Sequence, residues 1–169
     1  ITSTTGDLAV TALTGGAGTI GVTTTDGSIT TSGAISSTDG AITLTANDAT
    51  ADDSTPAGIT VGGTIGAGTA AIQLLAADDV AVNANVTSTG NVTVTADGAS
   101  DTFADDNGAI TGTGTIAGNL VTLNAAEGIQ ANTTATTIAM PVRTPRTLNQ
   151  SSSSSGASSR NPTYSARKM

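Results

Sequence analysis

The chain contains no cysteine, no histidine and no tryptophan, and only one phenylalanine and one tyrosine. Without cysteine there is no disulfide scaffold, thiolate zinc site or haem attachment. Without histidine, neither a Cys–His nor a Ser–His catalytic pair can be assembled. Leu, Glu, Lys and Arg, the residues that fill ordinary helices, are scarce, which argues against a helical bundle. What takes their place is small: Gly, Ala, Ser and Thr account for more than half of the 169 residues. That length suits one domain of ordinary size.

Positive charge is missing from most of the chain. All 13 acids lie in residues 1–140 and all five cations in 141–169, so a body of −13 is followed by a tail of +5. A body without Lys or Arg cannot bind nucleic acid by neutralising phosphates, and anionic membrane surfaces should repel it. It suits a protein kept soluble outside the cell by acidic loops. Three of the four prolines, Pro141, Pro145 and Pro162, fall in the tail, together with the run Ser151 to Ser155. Residues 141–169 therefore read as a basic, Ser/Pro-rich disordered segment. No apolar run approaches the roughly 20 residues of a membrane span, so no membrane insertion is expected of this segment. The chain opens mid-pattern at Ile1, with neither a basic n-region nor an apolar h-region. It reads as an internal fragment of a longer protein, about whose secretion a missing leader says nothing.

What is present is repetition. A turn residue followed by alternating apolar and small polar residues appears as GDLAVTA at 6–12, GAITLTA at 40–46, GNVTVTA at 90–96 and, more loosely, GNLVTLNA at 118–125. Each reads as a short strand of period two, with Ile42 and Leu44, or Val92 and Val94, on one face and Thr on the other. A longer period encloses this one. Residues 40–68 laid over 90–118 match Ile42 with Val92, Leu44 with Val94, Ile59 with Ile110 and Ile65 with Ile116. Leu74 then falls on Leu123 and Val80 on Ile129. A partial earlier copy sets Val22 over Ile72, Ile35 over Val86 and Gly40 over Gly90. Residues 1–140 thus read as about three copies of a unit of about 50 residues.

Strands this short, with Gly, Asn and Asp between them and no aromatic punctuation, suit neither a sandwich nor a propeller. They suit an all-β parallel solenoid, a β-helix of right-handed sense, in which each strand pairs with its copy one coil on. Two or three coils are expected per unit, and a rod of very roughly 30–40 Å at about 4.8 Å per coil. Small residues fit a narrow lumen, Gly supplies the positive φ of sharp corners, and Thr suits the outward strand positions.

The stretch GAITGTGTIAGNLVTLNAAEGIQ at 108–130 resembles the repeats of filamentous-haemagglutinin-like adhesins, the large bacterial exoproteins. Gly118, Val121, Leu123, Ala125, Gly128 and Ile129 follow the phrase G-x-x-V-x-L-x-A-x-x-G-I that those repeats favour. The resemblance covers roughly 1–139. It implies a right-handed parallel β-helix, secreted or held on the outer cell surface. Such a segment would mediate attachment to a host or neighbouring-cell surface glycan or protein. The family's secretion domain and a C-terminal anchor are not visible in this sequence.

Chemistry-bearing constellations are few. Asp52-Asp53 and Asp105-Asp106 recur in matching loops, Asp48 matches Asp97, and Asp78-Asp79 matches the region of Glu127. Oxygen ligands in loops are what calcium takes, but the calcium β-roll nonapeptide is absent. The same acids also keep a rod soluble and its edges apart. Paired carboxylates could alternatively serve a polysaccharide-binding or -processing β-helix, which also needs aromatic or Arg groups to hold sugar. Residues 1–140 offer only Phe103 for that. Rows such as Thr43-x-Thr45 and Thr93-x-Thr95 resemble the arrays by which some β-solenoids order water as ice, but the loop at 48–58 breaks a flat face. GGAG at 15–18 and GAGTA at 66–70 lack the Lys-Ser/Thr ending of a phosphate loop. The sequons at Asn85, Asn91 and Asn132 read as corner chemistry. The expectation is a structural, adhesive segment, not an enzyme, with no catalytic, cofactor-binding or metal residues assigned. Its specificity would lie in loops 47–58 and 97–107.

Overall fold

The computed structural model describes residues 1–49, 57–98 and 108–139. The expectations placed on Asp52-Asp53, Asp105-Asp106, Phe103 and the tail at 141–169 lie outside the described residues.

The chain winds in successive coils of three short strands, and no helix occurs among the described residues. The first coil holds β1 (Thr2–Ser3), β2 (Leu8–Val10) and β3 (Leu13–Thr14). The second holds β4 (Ile20–Thr24), β5 (Ile29–Thr31) and β6 (Ile35–Ser37). β7 (Ile42–Ala46), β8 (Ile59–Val61) and β9 (Ile65–Ala67) form the third. The fourth consists of β10 (Ile72–Ala76), β11 (Val80–Val82) and β12 (Val86–Thr87). β13 (Val92–Thr95) and β14 (Ala109–Thr111) open the fifth, which closes on the first part of β15 (Thr115–Asn124). The rest of β15, β16 (Gly128–Ile129) and β17 (Asn132–Ala139) make the sixth and begin a further turn.

Every strand pairs in parallel with its counterpart one coil on. The first face runs β1-β4-β7-β10-β13-β15, the second β2-β5-β8-β11-β14-β16, and the third β3-β6-β9-β12-β15. β15 turns from the third face into the first without a break, which merges those two faces into one sheet of 11 strands beside a second sheet of six. This is a parallel β-solenoid. Six coils at about 4.8 Å each span roughly 25–30 Å.

The register shows what the long period is. Ile42 pairs with Ile72 across a long coil, and Ile72 pairs with Val92 across a short one. The repeating unit is therefore one long coil and one short coil. Its matched residues stand two coils apart, with a third member between them. The step from Val92 to Val121 is long again and restarts the alternation. The two earliest steps, from Thr2 to Thr23 and from Ile20 to Ile42, are both short.

Ladders of like residues fill the lumen. Ile20, Ile42, Ile72, Val92 and Val121 form one column, and Val22, Leu44, Leu74, Val94 and Leu123 another. Ile29, Ile59, Val80 and Ile110 line the second face, and Ile35, Ile65, Val86 and Ile116 the third. Nearly all are fully buried. Each such side chain contributes about 1.5–3 kcal/mol on leaving water. β-Branched residues suit these columns because the pleat already restricts χ1, so burial costs little further rotamer freedom.

Two details differ from the reading of the sequence. Val22 does not stack on Ile72: Ile20 occupies that column and Val22 belongs with Leu44 and Leu74. The second coil also turns three polar residues inward, Thr24, Thr31 and Ser37, all buried. Burial there is tolerated because each hydroxyl is bonded. Thr24 Oγ1 donates to the Gly27 carbonyl at 2.5 Å, and Thr31 Oγ1 accepts from the Gly63 N–H at 3.4 Å. Ser37 is tied at a corner described below.

Candidate functional site

A three-sided coil has three corners, and at each the parallel ladder is interrupted. Backbone N–H groups that turn a corner need acceptors other than the next strand. At the corner between the first and second faces, side chains supply them. Asp7 Oδ1 accepts from the Ser28 N–H at 2.8 Å, Ser28 Oγ from the Gly58 N–H at 3.2 Å, and Asp79 Oδ1 from the Ala109 N–H at 2.8 Å. Each acceptor lies just before its second-face strand and bonds the same position one coil later. Asp78 Oδ2 accepts from the Ala57 N–H, in the coil before it. The next corner uses the same device, with Asn85 Oδ1 accepting from the Thr115 N–H at 3.1 Å. Asn132 Nδ2 donates there to the Thr113 carbonyl at 3.1 Å. Asn85 and Asn132 thus serve as corner residues.

Serines hold the third corner. Ser37 Oγ lies 2.8 Å from the Gly16 carbonyl oxygen and 3.1 Å from that of Gly18, and accepts from the Gly40 N–H at 2.8 Å. Ser88 repeats this arrangement against Ala70 at 2.6 Å and Ala67 at 3.1 Å, accepting from the Gly90 N–H at 2.8 Å. The local signal is Ser-Thr followed by Gly just ahead of a first-face strand, as STDG at 37–40 and STG at 88–90.

The acids are not scattered. Among the described residues Asp7, Asp26, Asp48, Asp78, Asp79, Asp97 and Glu127 all lie in connections from the first face to the second. Only Asp39 lies elsewhere, where its Oδ1 accepts from Thr69 Oγ1 at 3.3 Å. Successive coils therefore place carboxylates along one edge of the rod. In the sequence, Asp52, Asp53, Asp101, Asp105 and Asp106 fall between the strands of the third and fifth coils, outside the described residues. Asp97 takes a left-handed φ of 60°, a conformation that Asp tolerates better than most side chains. Among the described residues no group of three or more Asp or Glu is placed to hold a metal ion.

The first face turns two uncharged columns outward. One runs Gly21, Thr43, Gln73, Thr93 and Thr122; the other Thr23, Thr45, Leu75, Thr95 and Asn124. Threonine predominates, but the fourth coil interrupts both columns with Gln73 and Leu75. A continuous hydroxyl array is therefore not formed. The second face carries Thr30, Thr60, Ala81 and Thr111 in the corresponding outward column.

No family model, curated protein or solved structure matches this chain. The adhesin resemblance rests on the repeat phrases alone.

Proposed function

We propose that this chain is a structural, adhesive segment of a large secreted or surface-exposed bacterial protein. Its solenoid would serve as a rigid spacer, and attachment to a surface glycan or protein of another cell would run through the connections on one edge. The observation that carries this reading is the placement of the two longest connections. Residues 47–58 and 96–108 join the first face to the second in the third and fifth coils, two coils apart on one edge. Two coils correspond to about 10 Å along the axis. Two long connections leaving the same edge, where the other connections of that edge are short, are what is expected where a scaffold presents recognition segments.

The test is attachment of beads coated with the protein to cultured epithelial cells and to bacterial biofilm. Replacing 50–56 and 99–107 with Gly-Ser segments of equal length should abolish attachment while the far-UV circular dichroism stays unchanged. Undiminished attachment after that replacement would place recognition elsewhere. Failure of the parent protein to attach to either surface would reject the adhesive reading.

A further inference from the structure

We draw no further inference here: the strongest candidate, the row of carboxylates from Asp7 to Glu127 along the edge between the first and second faces, is an acidic cluster beside which nothing in the structure points to a particular ligand.

Discussion

Ser37 and Ser88 occupy the same corner two coils apart, and each hydroxyl joins the carbonyls of the preceding coil to the N–H of a following glycine. Ala67 stands between them in the same column. The turn that follows is tight: a Cβ on Gly40 would sit 2.0 Å from the Gly18 carbonyl oxygen. Serine is the smallest side chain that can both donate and accept in so confined a place.

Removing either hydroxyl leaves the Gly40 or Gly90 N–H without its side-chain acceptor. Ser37→Ala should destabilise the rod by about 1–3 kcal/mol, the cost of an unsatisfied buried donor, and Ser88→Ala, whose Gly90 N–H is only partly buried, by about 1 kcal/mol. Ser36→Ala, on the outward side of the same strand, should cost less than about 0.5 kcal/mol. Urea denaturation followed by circular dichroism measures all three. Equal, small effects would mean that the serines are fillers rather than corner ties.

The lumen makes a sharper demand. Val94 and Ile110 are fully buried in columns bounded by other aliphatic side chains. Val94→Asp or Ile110→Asp would desolvate a carboxylate with no partner, which costs several kcal/mol or more. Leu74→Ala should cost about 2–5 kcal/mol through the cavity that it leaves. Thr93→Asp, beside Val94 in sequence but facing outward, should be tolerated. Thermal melts of the four variants check the order; a Val94→Asp protein as stable as Thr93→Asp would invert the assignment of faces.

The apolar columns are legible in the sequence because period two marks each strand's inward side. The matching of Ile42 with Val92 through an intervening coil follows from equivalent residues recurring at equivalent corners. The column of Val22 is not legible, for a physical reason. In Ile20-Gly21-Val22 a slide from one apolar residue to the next keeps apolar on apolar, so only the corner settles the register. Thr24 and Thr31 give no inward signal because threonine, as a β-branched polar residue, fits an outward position equally well. Uneven coil lengths hide the acidic edge. Asp26, Asp48 and Asp78 fall on one position, and Asp7 and Asp97 into the same connection, only once the long and short coils are laid over one another.

Two glycines should respond in opposite directions. Gly112 has φ 123°, and a Cβ there would lie 2.0 Å from the Val82 carbonyl oxygen. Gly112→Ala must therefore shift backbone as well as strain it, and a loss of about 1–3 kcal/mol is expected. Gly21 is different: a Cβ meets nothing within 4 Å, and the position lies outward beside Thr43. Gly21→Thr should stabilise by about 0.5–1 kcal/mol, by restricting the unfolded chain and adding a cross-strand Thr pair. Differential scanning calorimetry distinguishes a rise for Gly21→Thr from a fall for Gly112→Ala.

Carboxylates stacked along one edge, with no Lys or Arg anywhere in residues 1–140, repel one another. Added salt should therefore raise the melting temperature, most steeply up to about 0.1 M, where the screening length reaches about 10 Å. Glu127→Gln, which removes one charge from the edge, should stabilise at low salt and be neutral at high salt. Asp79 tests the other role of these acids. Asp79→Asn keeps an oxygen for the Ala109 N–H and should be close to neutral, whereas Asp79→Ala loses this exposed bond and should cost about 0.5–1 kcal/mol. Identical behaviour of the two Asp79 variants would reduce the acids to charge alone.

The repeat itself predicts where the chain can be cut. Residues 42–91 comprise one long and one short coil, and Val92 occupies the column position of Ile42. Deleting that stretch joins Ala41 to Val92, so that Val92 and Val94 should pair with Ile20 and Val22 as Ile42 and Leu44 do now. Each coil touches chiefly its neighbours, so the loss is two interfaces and not the fold. The shortened protein should keep its strand signal per residue and become less stable, with a hydrodynamic size reduced by about 10 Å of rod. Deleting 42–58 instead would join Ala41 to Ile59, placing a second-face strand where a first-face strand belongs. That protein should not fold cooperatively. If both deletions behave alike in circular dichroism and sedimentation, stacking of equivalent faces is not what specifies the solenoid.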